Sequence, residues 1–241
     1  LYEEANFPLL ISNLYEKNGE RPKWVIPHVI HEVEDKKIGI IGVTVFYEMF
    51  YELLGWKMED PFHSIEASLA QLKEQVDAIV VISHLGITDD EELARRFPEI
   101  DIILGGHTHH VLPTGKLVGS TLLCGAGKHG HYIGEVQLSF HDHGVEKECK
   151  LHSLSEVEPS KTMEQTLEKY EIEASIYLND IVHHLREPIE NSWTKPTYLT
   201  NLMAEALKEW CEADIGMVNA GVILNDLSAG EVTKGDIHRI C

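Results

Sequence analysis

Short apolar runs separated by amphipathic stretches organise the first 110 residues. Ile38–Val43, Ala78–Ile82 and Ile102–Leu104 have no polar break, which is typical of strands covered on both faces. Pro61–Val76 carries apolar side chains at helical spacing, and Thr88 opens a second, shorter helix whose first turn is acidic. The order strand, helix, strand, helix, strand predicts parallel pairing through right-handed crossovers.

Alternating patterns elsewhere predict antiparallel pairs. Trp24–Val33 and Lys37–Val45 form one predicted pair, and Phe7–Leu14 is expected to add a short strand. Ile133–Phe140 and Val145–Leu151 form a predicted hairpin around His141-Asp142-His143-Gly144.

A polar, proline-containing stretch, Ser155–Ser160, is the best candidate for a domain boundary. After it we expect a long amphipathic helix at Thr162–Leu185, a second helix at Tyr198–Trp210 and a strand at Ile215–Val218. The predicted domains are residues 1–155, a linker helix at 156–187, and 188–241.

Charge and composition exclude some functions. The chain has 20 basic and 40 acidic residues, a net charge of −20, which argues against binding a nucleic-acid polymer. No apolar run approaches the ~20 residues of a membrane span. Four scattered cysteines without a Cys-x-x-Cys pair fit a reducing compartment, so we expect a cytoplasmic protein.

Histidines follow two of the buried-type strands. His84 comes just after Ala78–Ile82, and Gly105-Gly106-His107-Thr108-His109-His110 follows Ile102–Leu104. Adjacent parallel strands would bring His84, His107 and His109 to one rim, because ligands gather where strands end. If the loop is extended, His107 and His109 share a face, with Thr108 and His110 turned away. Imidazoles are good ligands for zinc, manganese or iron; the alternative is a histidine-rich loop tip without a metal.

Three other histidine pairs carry less weight. His141 and His143 have metal-pair spacing but lie in an ordinary turn sequence, and His183-His184 is expected at the surface. His129 and His131 belong to the glycine-rich loop Gly125–His131, which lacks the Lys-Ser/Thr ending of a P-loop.

Ser83-His84-Leu85-Gly86, followed by Asp101–His109, resembles the second half of the metal signature of calcineurin-like metallophosphoesterases. The likeness is greatest to the 5′-nucleotidase branch, of the bacterial bifunctional metallophosphatase/5′-nucleotidase type. Ala213–Gly221 and Gly230–Asp236 are similar to the opening of that branch's C-terminal domain. The resemblance implies an α/β fold: an incomplete metallophosphoesterase αββα sandwich, a linker helix and the start of the α/β C-terminal domain.

The resemblance also implies a site. His84 and His107 would ligate one of two divalent metal ions (manganese, zinc, iron or similar), and His109 the other. Asn219 and Gly221 would contact the nucleoside part of the substrate, and His129 or His131 would line the substrate pocket. The expected substrate is a small phosphate ester or nucleotide.

Two departures from the family pattern shape the expectation. The family's Asp-x-His, Gly-Asp and Gly-Asn-His motifs are not found ahead of His84, so the catalytic residues are expected upstream of Leu1. The chain would then be an internal fragment, nearly inactive alone, of a phosphate-ester hydrolase. Leu224 stands where an arginine is usual, which supports the alternative of a non-catalytic binding or scaffold module.

Overall fold

A computed structural model describes residues 5–192 and 194–240, which divide into two compact units between Val157 and Glu158. The elements of the first unit are β1 (Leu14–Glu16), β2 (His28–Val33), β3 (Lys36–Thr44), α1 (Glu48–Leu53), β4 (Trp56–Met58), α2 (Pro61–Leu72), β5 (Ala78–His84), α3 (Ile87–Arg96), β6 (Ile102–Gly105), β7 (Lys116–Val118), β8 (Thr121–Cys124), β9 (Tyr132–His141) and β10 (Gly144–Ser153).

A mixed six-stranded sheet of order β2-β3-β5-β6-β8-β7 forms the centre of this unit. Strands β3, β5, β6 and β8 run parallel, whereas β2 and β7 pair antiparallel at the two edges. The predicted parallel pairing is confirmed, and so is the β2–β3 pair. Strand β2 begins only after Pro27, which has no amide hydrogen to give to the sheet.

The main core lies between this sheet and α2 and α3. Ile41, Leu69, Leu93 and Ile103 are almost completely buried there. Asp60 caps α2 by accepting hydrogen bonds from two backbone amides, and Pro61 occupies the first turn, where its missing N–H costs nothing.

The opposite face of the sheet is covered only in part. The β9–β10 hairpin packs there, and Cys149 joins Ile102, Leu122 and Cys124 in a second cluster. Ile82 remains 48% exposed beside an open cavity of about 530 Å³. The expectation that Ala78–Ile82 is covered on both faces is therefore wrong for one face: side chains alternate along β5, and only one of its faces meets helices.

One short strand was also misplaced. Between residues 7 and 14 the described backbone makes a single bridge, Leu10 to Ile26, and β1 begins only at Leu14. Ser12 N–H instead donates to Gly42 O, so this segment crosses β3 rather than running along it.

The second unit contains α4 (Lys161–Leu178), β11 (Ile181–Leu185), α5 (Tyr198–Trp210), a 3₁₀ turn (Ala220–Val222), β12 (Gly230–Thr233) and α6 (Lys234–Arg239). Its core is Leu199, Ile223, Leu227, Val232 and Ile240. Helix α5 has the predicted bounds. None of the helices in the described residues is long and apolar enough to cross a membrane.

Two predictions for this unit are wrong. The helix expected at Thr162–Leu185 ends at Leu178, and Ile181–Leu185 is strand β11, paired with β12. Ile181 and Leu185 are four residues apart, which fits both a helix face and one face of a strand, so periodicity alone did not separate the two. Ile215–Val218 is not a strand, because no described segment supplies the ladder partner that a strand requires.

Candidate functional site

His84 and His107 lie close together at the carboxyl ends of two central strands of the sheet. Strands β5 and β6 are parallel neighbours with Ser83 paired to Gly105. His84 is the last residue of β5 and His107 comes two residues after β6, so both lie at carboxyl ends that are side by side. Their ring centroids are 5.1 Å apart in an edge-to-face arrangement. His84 projects on the open face and lines the 530 Å³ cavity.

The histidine loop is tightly bent. His107 and His109 have φ angles of +55° and +54°, a left-handed conformation that non-glycine residues adopt mainly at constrained sites. The expectation of an extended segment is therefore wrong, because the backbone takes the left-handed conformation at both histidines, shortly after β6 ends at Gly105. Thr108 and His110 do lie together: His110 Nδ1 is 2.9 Å from Thr108 Oγ1. Thr108 Oγ1 also accepts from the Ile87 amide at 3.1 Å, which ties the loop to α3.

Two glycines make room for this arrangement. A Cβ atom on Gly106 would lie 2.9 Å from His84 Nδ1, and one on Gly86 would lie 3.0 Å from Thr108 Cγ2. Gly86 also has a φ of +103°, which a side chain would strain. Any larger residue at position 106 would push the His84 ring out of its place.

Electrostatics favour a neutral imidazole at His84. Partial burial lowers the pKa of His84 below its ordinary value, and the neighbouring His107 and His109 lower it further. The neutral ring is the form that binds a cation.

The imidazole nitrogens of His84 and His107 are suitable ligands for a divalent cation, but two ligands are too few to hold one. No group of three histidine, cysteine or acidic side chains in the described residues is arranged to hold a metal ion. The two imidazoles at 5.1 Å, together with the space that Gly106 leaves beside His84 Nδ1, are suited to contribute to a site completed by other ligands. The assignment of His84, His107 and His109 as metal ligands thus stays a prediction.

The glycine-rich loop is anchored to the histidine loop. Val111 bridges to Ala126, and the Gly127 amide donates to His110 O at 3.0 Å. His129 and His131 are exposed, with ring centroids 6.1 Å apart. His141 and His143 stack on each other at the end of the β9–β10 hairpin instead.

In the second unit, Asn219 Oδ1 accepts from the Gly221 amide at 2.9 Å and so closes a small turn. Ile223 is fully buried, whereas Leu224, next to it, is 64% exposed. The position at which the family has arginine is therefore open to solvent.

Two residues beside the site are not indicated by any sequence motif. The sequence indicates Asp90 only as one of the acidic residues in the first turn of α3, but it is buried and accepts a hydrogen bond from Ser83 Oγ at 2.5 Å. Its spacing from Ile87 and Leu93 places it on the apolar face of α3, a signal that could have found it. Tyr47 contacts His107, 60 residues away, and no local pattern indicates that contact.

Comparison with known proteins identifies a domain and several relatives of this chain. The 5′-nucleotidase C-terminal domain model matches residues 179–241. The chain is 44% identical over 246 residues to the uncharacterized metallophosphoesterase YunD of Bacillus subtilis (strain 168), covering 100% of this chain and 53% of YunD. Residues 179–241 are a 5′-nucleotidase C-terminal domain, and the chain as a whole is similar to a metallophosphoesterase.

A further relative and a solved structure agree with this similarity. The chain is 24% identical to the trifunctional nucleotide phosphoesterase protein YfkN of B. subtilis (strain 168), in a match that covers 99% of this chain and 19% of YfkN. A 5′-nucleotidase precursor structure from Thermus thermophilus superposes with a TM-score of 0.71 at 21% identity, over 99% of this chain and 54% of that one. This likeness confirms the predicted fold class, an incomplete metallophosphoesterase sandwich followed by the start of the C-terminal domain. The chain spans about half the length of YunD.

Proposed function

We propose that the whole protein hydrolyses phosphate esters, nucleotides among them, with two divalent cations to which His84, His107 and His109 contribute ligands. The observation that carries the proposal is the meeting of His84 and His107 at the carboxyl ends of β5 and β6, in a chain similar to a metallophosphoesterase. Support for nucleotides comes from the name of YfkN and from a 5′-nucleotidase of Vibrio cholerae, 23% identical over 99% of this chain and 53% of that protein.

Bound cations would polarise the phosphoryl group and lower the pKa of the attacking water. The chain's own residues would orient the metal-binding histidines. Burial lowers the pKa of His84 and so favours its neutral ring, and the bent loop holds His107 and His109 in a left-handed backbone conformation. Because the chain carries a net charge of −20, an anionic substrate needs local positive charge, which the cations would provide.

Substrate contacts are proposed for four residues. His129 and His131 stand on the loop that is bridged to the histidine loop, and Asn219 and Gly221 form the turn in the second unit. No carboxylate joins the histidine cluster in the described residues, so we expect residues 1–241 by themselves to have little activity.

The test is hydrolysis by the whole protein of an aryl phosphate and of a nucleoside monophosphate, with manganese and after chelation. His84→Ala and His107→Ala should each lower kcat/KM by more than the 10–100-fold typical of residues that only support a ligand. His143→Ala, in the turn of the β9–β10 hairpin, is the matched control and should not change it. Full activity in both site variants, or activity that chelation does not affect, would contradict the proposal.

A non-catalytic binding module is the second candidate, favoured by one observation, the leucine at position 224. Leucine cannot make the bidentate contacts with a carboxylate or phosphate that arginine makes. Protein that binds cations through the same histidines but turns over neither ester would support this candidate.

A further inference from the structure

Tyr47 makes a direct contact with the candidate site from outside every motif. Its hydroxyl lies 3.2 Å from His107 Nε2, and the two ring centroids are 6.2 Å apart in an edge-to-face arrangement. His107 therefore contacts two rings, those of Tyr47 and His84.

The backbone that carries Tyr47 is held firmly. Strand β3 ends at Thr44, where Asn13 Nδ2 donates to Thr44 O at 2.8 Å and the Thr44 amide donates to Asn13 Oδ1 at 3.1 Å. Asn13 is completely buried, so this pair of hydrogen bonds fixes where the chain leaves the sheet. Tyr47 follows three residues later, at the start of α1.

Burial does not explain the direction of the Tyr47 side chain, because the residue is 53% exposed. Its hydroxyl instead meets the His107 ring. A histidine ring has two nitrogens, and the partner of one decides which form the other takes. With the Tyr47 hydroxyl at Nε2, Nδ1 of His107 has no hydrogen-bond partner among the described residues.

We propose that Tyr47 is a positioning residue for His107. Its hydroxyl oxygen accepts the Nε2–H of the imidazole, which selects the tautomer whose Nδ1 carries the lone pair and so makes Nδ1 the metal-binding nitrogen. Groups that accept the second N–H of a ligating histidine orient the ring and raise its basicity. This inference rests on the proposed function, because it takes His107 to be a ligand.

The experiment compares Tyr47→Phe with the unchanged whole protein. The variant keeps the ring and loses only the hydroxyl. Two readouts do not depend on turnover: long-range ¹H–¹⁵N NMR of the His107 ring without metal, and Zn²⁺ affinity measured by competition with a chelator. We expect one dominant His107 tautomer in the unchanged protein and a mixture in the variant, with Zn²⁺ affinity lowered by about 10–100-fold.

The matched control is Tyr51→Phe. Tyr51 lies one helical turn further on, and its ring packs against Phe50 rather than a histidine. Tyr51→Phe should change neither the His107 tautomer nor the Zn²⁺ affinity. Neither variant should change the thermal midpoint of unfolding.

The results distinguish failure of the proposed role of Tyr47 from failure of the proposed metal site. If His107→Ala weakens Zn²⁺ binding while Tyr47→Phe matches the unchanged protein in tautomer and affinity, Tyr47 has no positioning role and the metal site stands. If His107→Ala alters neither Zn²⁺ affinity nor hydrolysis, the proposed metal site itself is overturned.

Discussion

A buried carboxyl, Asp90, links helix α3 to the strand that ends at His84. Ser83 Oγ donates to Asp90 Oδ1 and accepts from the Leu85 amide, so the hydroxyl holds the backbone on both sides of His84. A Cβ atom on Gly105 would lie 2.7 Å from Asp90 Oδ2, so a larger residue there would displace the Asp90 carboxyl. Asp90 thus supports the end of β5.

Burial raises the pKa of Asp90 from 3.8 to about 6, although the Ser83 hydrogen bond opposes the shift. The folded protein therefore keeps this proton at pH values where the unfolded chain has lost it. Stability falls as the pH rises from about 3 to 7, by about 3 kcal/mol in total. In Asp90→Asn, which cannot ionise, this fall should be missing.

The measurement is the free energy of opening of the β5 amides, obtained from hydrogen exchange at pH 4 and pH 7. Relative to the unchanged protein, Asp90→Asn should gain about 2.4 kcal/mol between those two values. Glu92→Gln, at an exposed acidic position of the same helix, is the control and should follow the unchanged protein. Parallel profiles for all three proteins would show that Asp90 is ionised in the fold without cost.

Among the elements, β3 depends most visibly on glycine. The segment before β1 crosses this strand at Gly42, where Ser12 N–H donates to Gly42 O at 2.7 Å. A Cβ atom at position 42 would lie 2.0 Å from the Leu10 carbonyl oxygen, so the crossing leaves no room for a methyl group. Because the chain runs from β3 to Tyr47, displacing the segment that crosses β3 would also displace Tyr47 and its contact with His107.

Gly42→Ala should therefore destabilise the first unit by about 1–3 kcal/mol, the usual cost of overpacking. Gly39→Ala in the same strand is the matched control. Its Cβ would meet Leu72 Cδ1 at 3.2 Å, the end of a side chain that can move. Equal protection of β3 amides from hydrogen exchange in the two variants would contradict the steric explanation.

For the whole molecule, the proposed activity is divided between the two units. The histidines belong to the first unit, whereas Asn219 and Leu224 belong to the second. A change at Leu224 should then alter the choice of substrate without altering the hydrolytic chemistry.

Leu224→Arg in the whole protein tests that division. An arginine there would add charge-assisted hydrogen bonds worth about 1.5–3 kcal/mol, which correspond to a tenfold to hundredfold rise in kcat/KM for a nucleotide. The value for an aryl phosphate should stay the same. Ile215→Arg adds the same charge at another exposed position of this unit and serves as the control. If the unchanged protein already prefers the nucleotide a thousandfold, another residue does the work of the arginine.

Local patterns in the sequence determined much of this molecule. Uninterrupted apolar runs and helical spacing predicted the parallel strands β3, β5 and β6 and the helices between them. Parallel pairing then placed His84 and His107 at one edge, because carboxyl ends of such strands lie together. An apolar run and a helical spacing of apolar residues each extend over only a few neighbouring residues, so a short window of sequence is enough to recognise them.

Tertiary structure decided the rest. Ile181–Leu185 fits a helix and a strand equally well, and the partner strand β12 made it a strand. Asp90 became a buried acid only because α3 packs against Ser83. Tyr47 reaches His107 across 60 residues, and the two share no local pattern. Each of these outcomes depends on a contact between segments that are distant in sequence. Such a contact can stabilise the protein only after folding has brought the two segments together.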